Sequence, residues 1–332
     1  MQKSGNNLQN ELQDLILAND YSRAISLLYN RQSNDWPLLK QGIDSLASVE
    51  QKKFFFDGYE IYTQFNPGRI NSTIADVSPE AVKKNKCLLC AENLPKEQQG
   101  IIYKDKYSIL CNPFPVFYNH LTISSILHTP QRIKKYFANL LDVSRDIPDY
   151  SFLYNGPESG ASVPGHHHFQ ACKKESLPIN IDYEGLKNEY GKEFISNGVV
   201  INAIDDGIRK VFALESDSSK SLVKLFNTLY SLYSPFSKSH VEPMMNIISS
   251  FEPETGWRIM LTFRKKHRPD AYFKEDDENI LVSPATIDLG GVLVTPLEKD
   301  FKKIDKEIIK MIFREVSMGK EEFEYIKTKL EG

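Results

Sequence analysis

The chain has 332 residues and lacks any run near the roughly 18 apolar residues that a membrane-spanning helix needs. It also lacks an apolar segment behind the opening Met-Gln-Lys-Ser-Gly-Asn-Asn, so no secretory signal is expected. Charge of one sign is missing: 41 Lys and Arg stand against 44 Asp and Glu, a formal net charge of −3. That balance provides no basic face for nucleic acid. Cysteine is sparse, at four residues. Without an export signal those thiols are expected to be reduced, in the cytoplasm. What is present is ordinary for a globular protein, with 41% hydrophobic and 26% charged residues. The length suits one large core or two fused halves.

Apolar positions at helical spacing (Leu12, Leu15, Ile16, Ala24, Leu27, Leu28) run through residues 7–30 and continue over 36–49. The first 50 residues therefore read as a helical lead-in. Phe54–Phe56 and Tyr59–Tyr62 read as strands or buried apolar segments running into the turn Gln64–Arg69. A β-rich region follows, with strands expected at 107–110, 116–126, 151–154 and 166–172. Helices are expected near 130–143 and 219–233. An apolar hairpin over 245–265, a strand at 291–295 and a charged helix from about Pro296 complete the chain. This mixed order is that of an α+β fold with substantial antiparallel sheet. Leu121–Pro130 and Arg258–Pro269 echo each other, both being apolar strands that close on His-x-Pro.

Three of the seven histidines fall together at 166–168, behind a loop of small, turn-forming residues that begins at Asn155. On a strand, His166, His168 and Gln170 share one face at about 6.5–7 Å intervals, while His167 and Phe169 point the other way. Two imidazoles and an amide on one face suit chemistry on a phosphate. A histidine-rich tract also suits a surface loop or a pure metal clamp. Gln170 in register and the Gly160-Ala161-Ser162 turn have no role in a surface tract.

Cys87 and Cys90 have the two-residue separation that lets both thiolates reach one ion. Cys111 and Cys172 do not form a second such pair, so His128 and His166 are the expected completion. Four protein ligands would close a tetrahedron and make the metal structural. The same two cysteines equally suit a core as small hydrophobes.

Asn-Gly-Pro-x-Ser-Gly-Ala-Ser followed by His-x-His-x-Gln, at 155–170, resembles the active-site segment of one branch of the histidine-triad superfamily. That branch holds the galactose-1-phosphate uridylyltransferases, the diadenosine tetraphosphate phosphorylases and the GDP-sugar phosphorylases, the last two being closer in wording. His120 to His128 has the spacing of the superfamily's histidine–apolar strand–Pro-Lys-x-His element. The chain departs from the pattern in having Ser-Ile-Leu before His128, and one residue more than the uridylyltransferases between Ser162 and His166. The likeness covers roughly 66–172 and, weakly, 239–295; the first 50 residues lie outside it.

The resemblance implies a mostly antiparallel sheet flanked by helices, in two degenerate histidine-triad-like halves. The expected division is a helical extension at 1–50, a catalytic half at 51–235, and a degenerate second half with the C-terminal helix at 236–332. It implies zinc on Cys87, Cys90, His128 and His166. It implies that His168 attacks the α-phosphorus of a nucleotide, with Gln170 donating to a phosphate oxygen. Asn155, Gly160, Ser162 and Arg69 would bind the phosphates. The implied substrates are a sugar nucleotide or dinucleoside polyphosphate, with phosphate as acceptor. A hydrolase of the same fold and a non-catalytic nucleotide-binding protein are the alternatives. A basic cluster, Lys265 to Arg268, reads either as a solvated charge run or as a phosphate-facing loop. Oligomeric state leaves no mark in the sequence.

Overall fold

The computed structural model describes residues 2–84 and 86–332, with side chains at all of these except 2–9 and 79. The lead-in is three helices, Gln2–Leu17, Tyr21–Asp35 and Pro37–Leu46; Met1, counted in the expected extension, lies outside the described residues. Asp20 caps the second helix by accepting from the Arg23 amide, and Pro37 opens the third, where its missing N–H costs nothing. Tyr21, Ala24, Ile25 and Leu28 form its apolar stripe and pack into the main core.

A hairpin of β1 (Glu50–Phe56) and β2 (Tyr59–Phe65) turns at Gly58, whose φ of 81° suits glycine. The other eleven described strands are β3 (Gly100–Tyr103), β4 (Tyr107–Cys111), β5 (Leu121–Ser125), β6 (Tyr150–Asn155), β7 (His168–Lys173), β8 (Gly191–Ser196), β9 (Val199–Asp205), β10 (Lys210–Ser216), β11 (Met245–Glu252), β12 (Gly256–Phe263) and β13 (Val292–Thr295). β13 joins β2 in parallel, making a three-stranded sheet. The remaining ten form one antiparallel sheet in the order β3-β4-β5-β7-β6-β11-β12-β10-β9-β8.

That order contains a repeat. β3, β4, β5, helix Phe137–Asp146, β6 and β7 assemble as 3-4-5-7-6. β8, β9, β10, helix Ser219–Tyr233, β11 and β12 assemble as 8-9-10-12-11, the same topology. The units meet where β6 pairs β11, with Asn155 directly opposite Asn246. Each unit's helix lies on one face of the sheet; Leu222, Leu225, Phe226 and Leu229 bury the second. Burying one such side chain contributes about 1.5–3 kcal/mol. A second core on the opposite face is formed with the small sheet and helix Lys306–Val316. Among the described residues no helix is long and apolar enough to cross a membrane.

Several expectations shift. The strand expected over 116–126 is only β5, because Pro113, Pro115 and Asn119, at φ 57°, keep the approach irregular. The helix expected from 130 starts at Phe137. β7 begins at His168, since Pro164 precedes a turn in which the His166 amide donates to the Val163 carbonyl. The charged tail is three helices, Glu298–Lys303, Lys306–Val316 and Lys320–Glu331, with Asp305 capping the second. The echo between 121–130 and 258–269 joins strands that are not counterparts, because topology pairs β5 with β10 and β7 with β12. The repeat itself changes over between Lys173 and Gly191, so the expected 235/236 boundary falls inside the second unit.

Candidate active site and metal centre

His168 and Gln170 stand on one face of β7, and both line a cavity of 360 Å³. Phe169 points into the core on the other face. The His168 Nδ1 lies 2.8 Å from the His166 carbonyl, which can only accept, so Nδ1 carries the proton. The other ring nitrogen, Nε2, is left with its lone pair. Burial holds this imidazole down to about 4, hence neutral near pH 7. The His168 amide donates to Gln131 Oε1 at 2.9 Å, and Gln131 Nε2 donates to the His168 and Asn155 carbonyls, both at 2.9 Å. One buried amide therefore ties β7 to the end of β6.

Asn155, Gly160, Ser162 and Arg69 all line a smaller cavity of 50 Å³, which shares Arg69, Ser72, Ser162 and Gln170 with the larger one. Asn155 is buried, and its Oδ1 accepts from Asn246 Nδ2 at 2.9 Å, the Thr286 amide at 2.8 Å and Thr286 Oγ1 at 2.7 Å. Its amide hydrogens are thereby turned away from the protein donors. Gln170 Oε1 is likewise engaged, 3.2 Å from His120 Nε2. Arg69 is half-buried and donates to the Phe114 carbonyl at 2.8 Å. Gly160 has a φ of 96°, and a Cβ there would sit 2.6 Å from the Ala285 Cβ. Only glycine lets the loop close on this wall. Two side-chain amides and a guanidinium at one small cavity make a place that donates hydrogen bonds, the chemistry a phosphate requires.

Cys87, Cys90, His128 and His166 place one ligand atom each within 4.8 Å of one another. Cys87 Sγ is 3.2 Å from His166 Nδ1, and Cys90 Sγ is 3.0 Å from His128 Nδ1. Ligands of a tetrahedral zinc stand about 3.5 Å apart, given bond lengths of about 2.0–2.3 Å. His166 Nε2 lies 2.7 Å from the Ser125 carbonyl, so it carries the proton and leaves the Nδ1 lone pair facing the sulfurs. Burial and the Cys87 sulfur push the Cys90 thiol up to about 11, a balance that a bound cation would reverse. Donor set and tautomer both fit zinc. Cys111 and Cys172 lie apart from the cluster, buried in the two cores.

The basic cluster does not face the cavities. Lys266 pairs with Asp270 at 2.6 Å, and Arg268 donates to Ser283 Oγ and to the Thr73 and Ala75 carbonyls. Sequence reasoning passed over Gln131, Asn246 and Thr286, and cited His120 only for spacing. Each acts through a cross-strand or loop pairing that no local motif announces. The one available signal was His120 two residues before Thr122, the residue that pairs Gln170 across the sheet.

Residues 28–173 match a family described as a domain of unknown function, DUF4922, and residues 196–331 match the GDPGP1-like C-terminal domain. No curated protein matches the chain. Yeast Ap4A phosphorylase Apa2 superposes with a TM-score of 0.58 at 14% identity, over 85% of this chain and 97% of that one. Its AMP complex gives 0.55 at 16%, over 84% and 96%. Its Ap4A complex gives 0.54 at 15%, over 86% and 97%. The fold is thus the α+β, histidine-triad-like fold of yeast Ap4A phosphorylase Apa2, a large antiparallel sheet flanked by helices.

Proposed function

We propose that this protein is a nucleotide phosphorylase or nucleotidyltransferase that works through a covalent nucleotidyl group on His168. The observation that carries this reading is the His168 tautomer: Nδ1–H is held by the His166 carbonyl, leaving the Nε2 lone pair on a residue that lines the 360 Å³ cavity. In the first step Nε2 attacks the α-phosphorus of a sugar nucleotide or dinucleoside polyphosphate. An N–P bond forms and the P–O bond to the next phosphate breaks. In the second step an oxygen of inorganic phosphate attacks the same phosphorus, the N–P bond breaks and the imidazole returns neutral. Gln170, Asn155, Ser162 and Arg69 stabilise the charge that develops on the phosphoryl oxygens.

The reading includes zinc on Cys87, Cys90, His128 and His166, as a structural ion. Such an ion would tie the Cys87–Cys90 segment to His128, just beyond β5, and to His166, just before β7. The chain's own contribution is to hold His166, and with it the carbonyl that sets His168. Reduced thiolates at this cluster accord with a cytoplasmic setting. The first repeat is read as the catalytic half and the second as its degenerate partner.

Intact-protein mass spectrometry tests the mechanism. Incubated with a panel of sugar nucleotides and dinucleoside polyphosphates, the protein gains the mass of one nucleoside monophosphate. Phosphate removes it and yields nucleoside diphosphate; release by water alone marks a hydrolase instead. His168→Ala gains nothing. Turnover persisting in that variant overturns the proposal.

A further inference from the structure

His120 is fully buried at the foot of β5 and touches neither cavity, yet it lies between the backbone and Gln170. The Val116 amide donates to its Nδ1 at 3.2 Å. An amide N–H has no lone pair to offer, so Nδ1 must be unprotonated. The proton of the neutral ring is then on Nε2, which lies 3.2 Å from Gln170 Oε1. Neutrality follows from burial and the nearby Arg69 charge, which hold the imidazole down to about 3. Val116 is itself clamped, because Gln64 Nε2 on β2 donates to its carbonyl at 3.1 Å.

This chain of hydrogen bonds has a direction. A side-chain amide is nearly symmetric in shape, so packing alone does not choose which end of Gln170 faces the cavity. Reversal of the ring tautomer would set Nδ1–H against the Val116 N–H and leave a bare Nε2. That nitrogen would draw the Gln170 amide hydrogens and turn the carbonyl oxygen toward the substrate. An oxygen at that place repels a phosphoryl oxygen instead of donating to it. We infer that His120 is a positioning residue: through the Val116 amide, it fixes the polarity of Gln170 so that hydrogen-bond donors meet the phosphate. The inference rests on the proposed role of Gln170 at the transferred phosphate, but its structural half stands independently.

Two measurements test it separately. Nitrogen-15 spectra of the His120 ring in the full-length protein show the Nε2–H tautomer, unchanged from pH 8 to pH 5. An Nδ1–H ring, or one that gains a proton in that interval, overturns the inference whether or not any adduct forms. Kinetically, His120→Ala slows formation of the His168 adduct by about 10- to 100-fold, with nucleotide affinity changed less than about threefold. His120→Gln, whose amide reaches the position of Nε2, recovers most of the rate. In a Gln170→Ala background His120→Ala adds little, because there is no amide left to orient. Losses that multiply in the double variant, or no recovery with glutamine, overturn it. If His120→Ala does not fold, the glutamine variant and the spectra decide. Absence of adduct in the wild type overturns only the proposed function.

Discussion

His168 takes its tautomer from the backbone of His166, at 2.8 Å, while the His166 side chain stands in the cysteine–histidine cluster. One residue thus connects the cysteine–histidine cluster to His168: its ring faces the sulfurs and its carbonyl faces the His168 imidazole. The connection is short because β7 starts only at His168, leaving 166 in the turn that leads into it.

Metal removal should therefore be felt at both places. Cys90→Ser lowers bound zinc from about one per chain to a small fraction, read by atomic emission. It lowers the melting temperature by several degrees and slows formation of the His168 adduct by about tenfold or more. Unchanged zinc content in this variant would show that Cys90 is not a ligand.

The parts of this arrangement that were legible in the sequence are those with short-range signatures. Strand alternation put His168 and Gln170 on one face, and the Cys87–Cys90 spacing with His128 and His166 marked out a quartet that the fold brings together. Helical periodicity located the lead-in and the helix at 219–233. What stayed hidden depends on pairing between distant segments. Asn246 matters because β11 sets it opposite Asn155, and Thr286 because a short helix 131 residues away from Asn155 places it there. The repeat was sensed through the wrong strands, since β5 and β12 are alike in apolar content while topology makes β10 the counterpart of β5. Periodicity identifies a buried strand but carries no record of its neighbours.

The contribution of the segment after β12 to the setting of Asn155 can be measured with Thr286→Val. Valine keeps the shape but removes the hydroxyl that meets Asn155 Oδ1, the Tyr154 carbonyl and Asn246 Nδ2. The stability cost is about 1–2 kcal/mol in urea unfolding. Nucleotide binding, followed calorimetrically, weakens by about three- to tenfold, because one of the contacts that turn the Asn155 amide is gone. Equal affinity in the two proteins would show that the Thr286 hydroxyl does not orient Asn155.

Acid should destabilise the fold through its buried histidines. His120 and His267 are both held down to about 3 by burial, against about 6.5 in an unfolded chain. Between those values the unfolded chain binds protons that the folded one refuses, so stability falls as pH falls through this window. Each such histidine contributes up to about 1.4 kcal/mol per pH unit. Urea midpoints measured from pH 7 to pH 4.5 should decline, and His267→Gln should make the decline shallower. An unaltered slope in that variant would show that His267 accepts protons as readily in the folded state.

Glu242 works in the opposite direction. Its carboxyl is buried against the Tyr154 hydroxyl and accepts the Ile133 amide at 2.9 Å; burial pushes it up to about 7. In an unfolded chain it titrates near 4.3, so between about 4.3 and 7 the folded protein holds a proton that the unfolded one has released. Stability from this group is present at low pH and is lost as pH rises through the window. Glutamine keeps an acceptor for Ile133 and never ionises. Glu242→Gln should therefore match the wild type near pH 5 and exceed it at pH 8 by about 1–3 kcal/mol. The comparison separates this residue from the histidines, whose effects are confined to the acid side. Equal midpoints for the two proteins at pH 8 would mean that the Glu242 carboxylate is accommodated as an anion beside Tyr154.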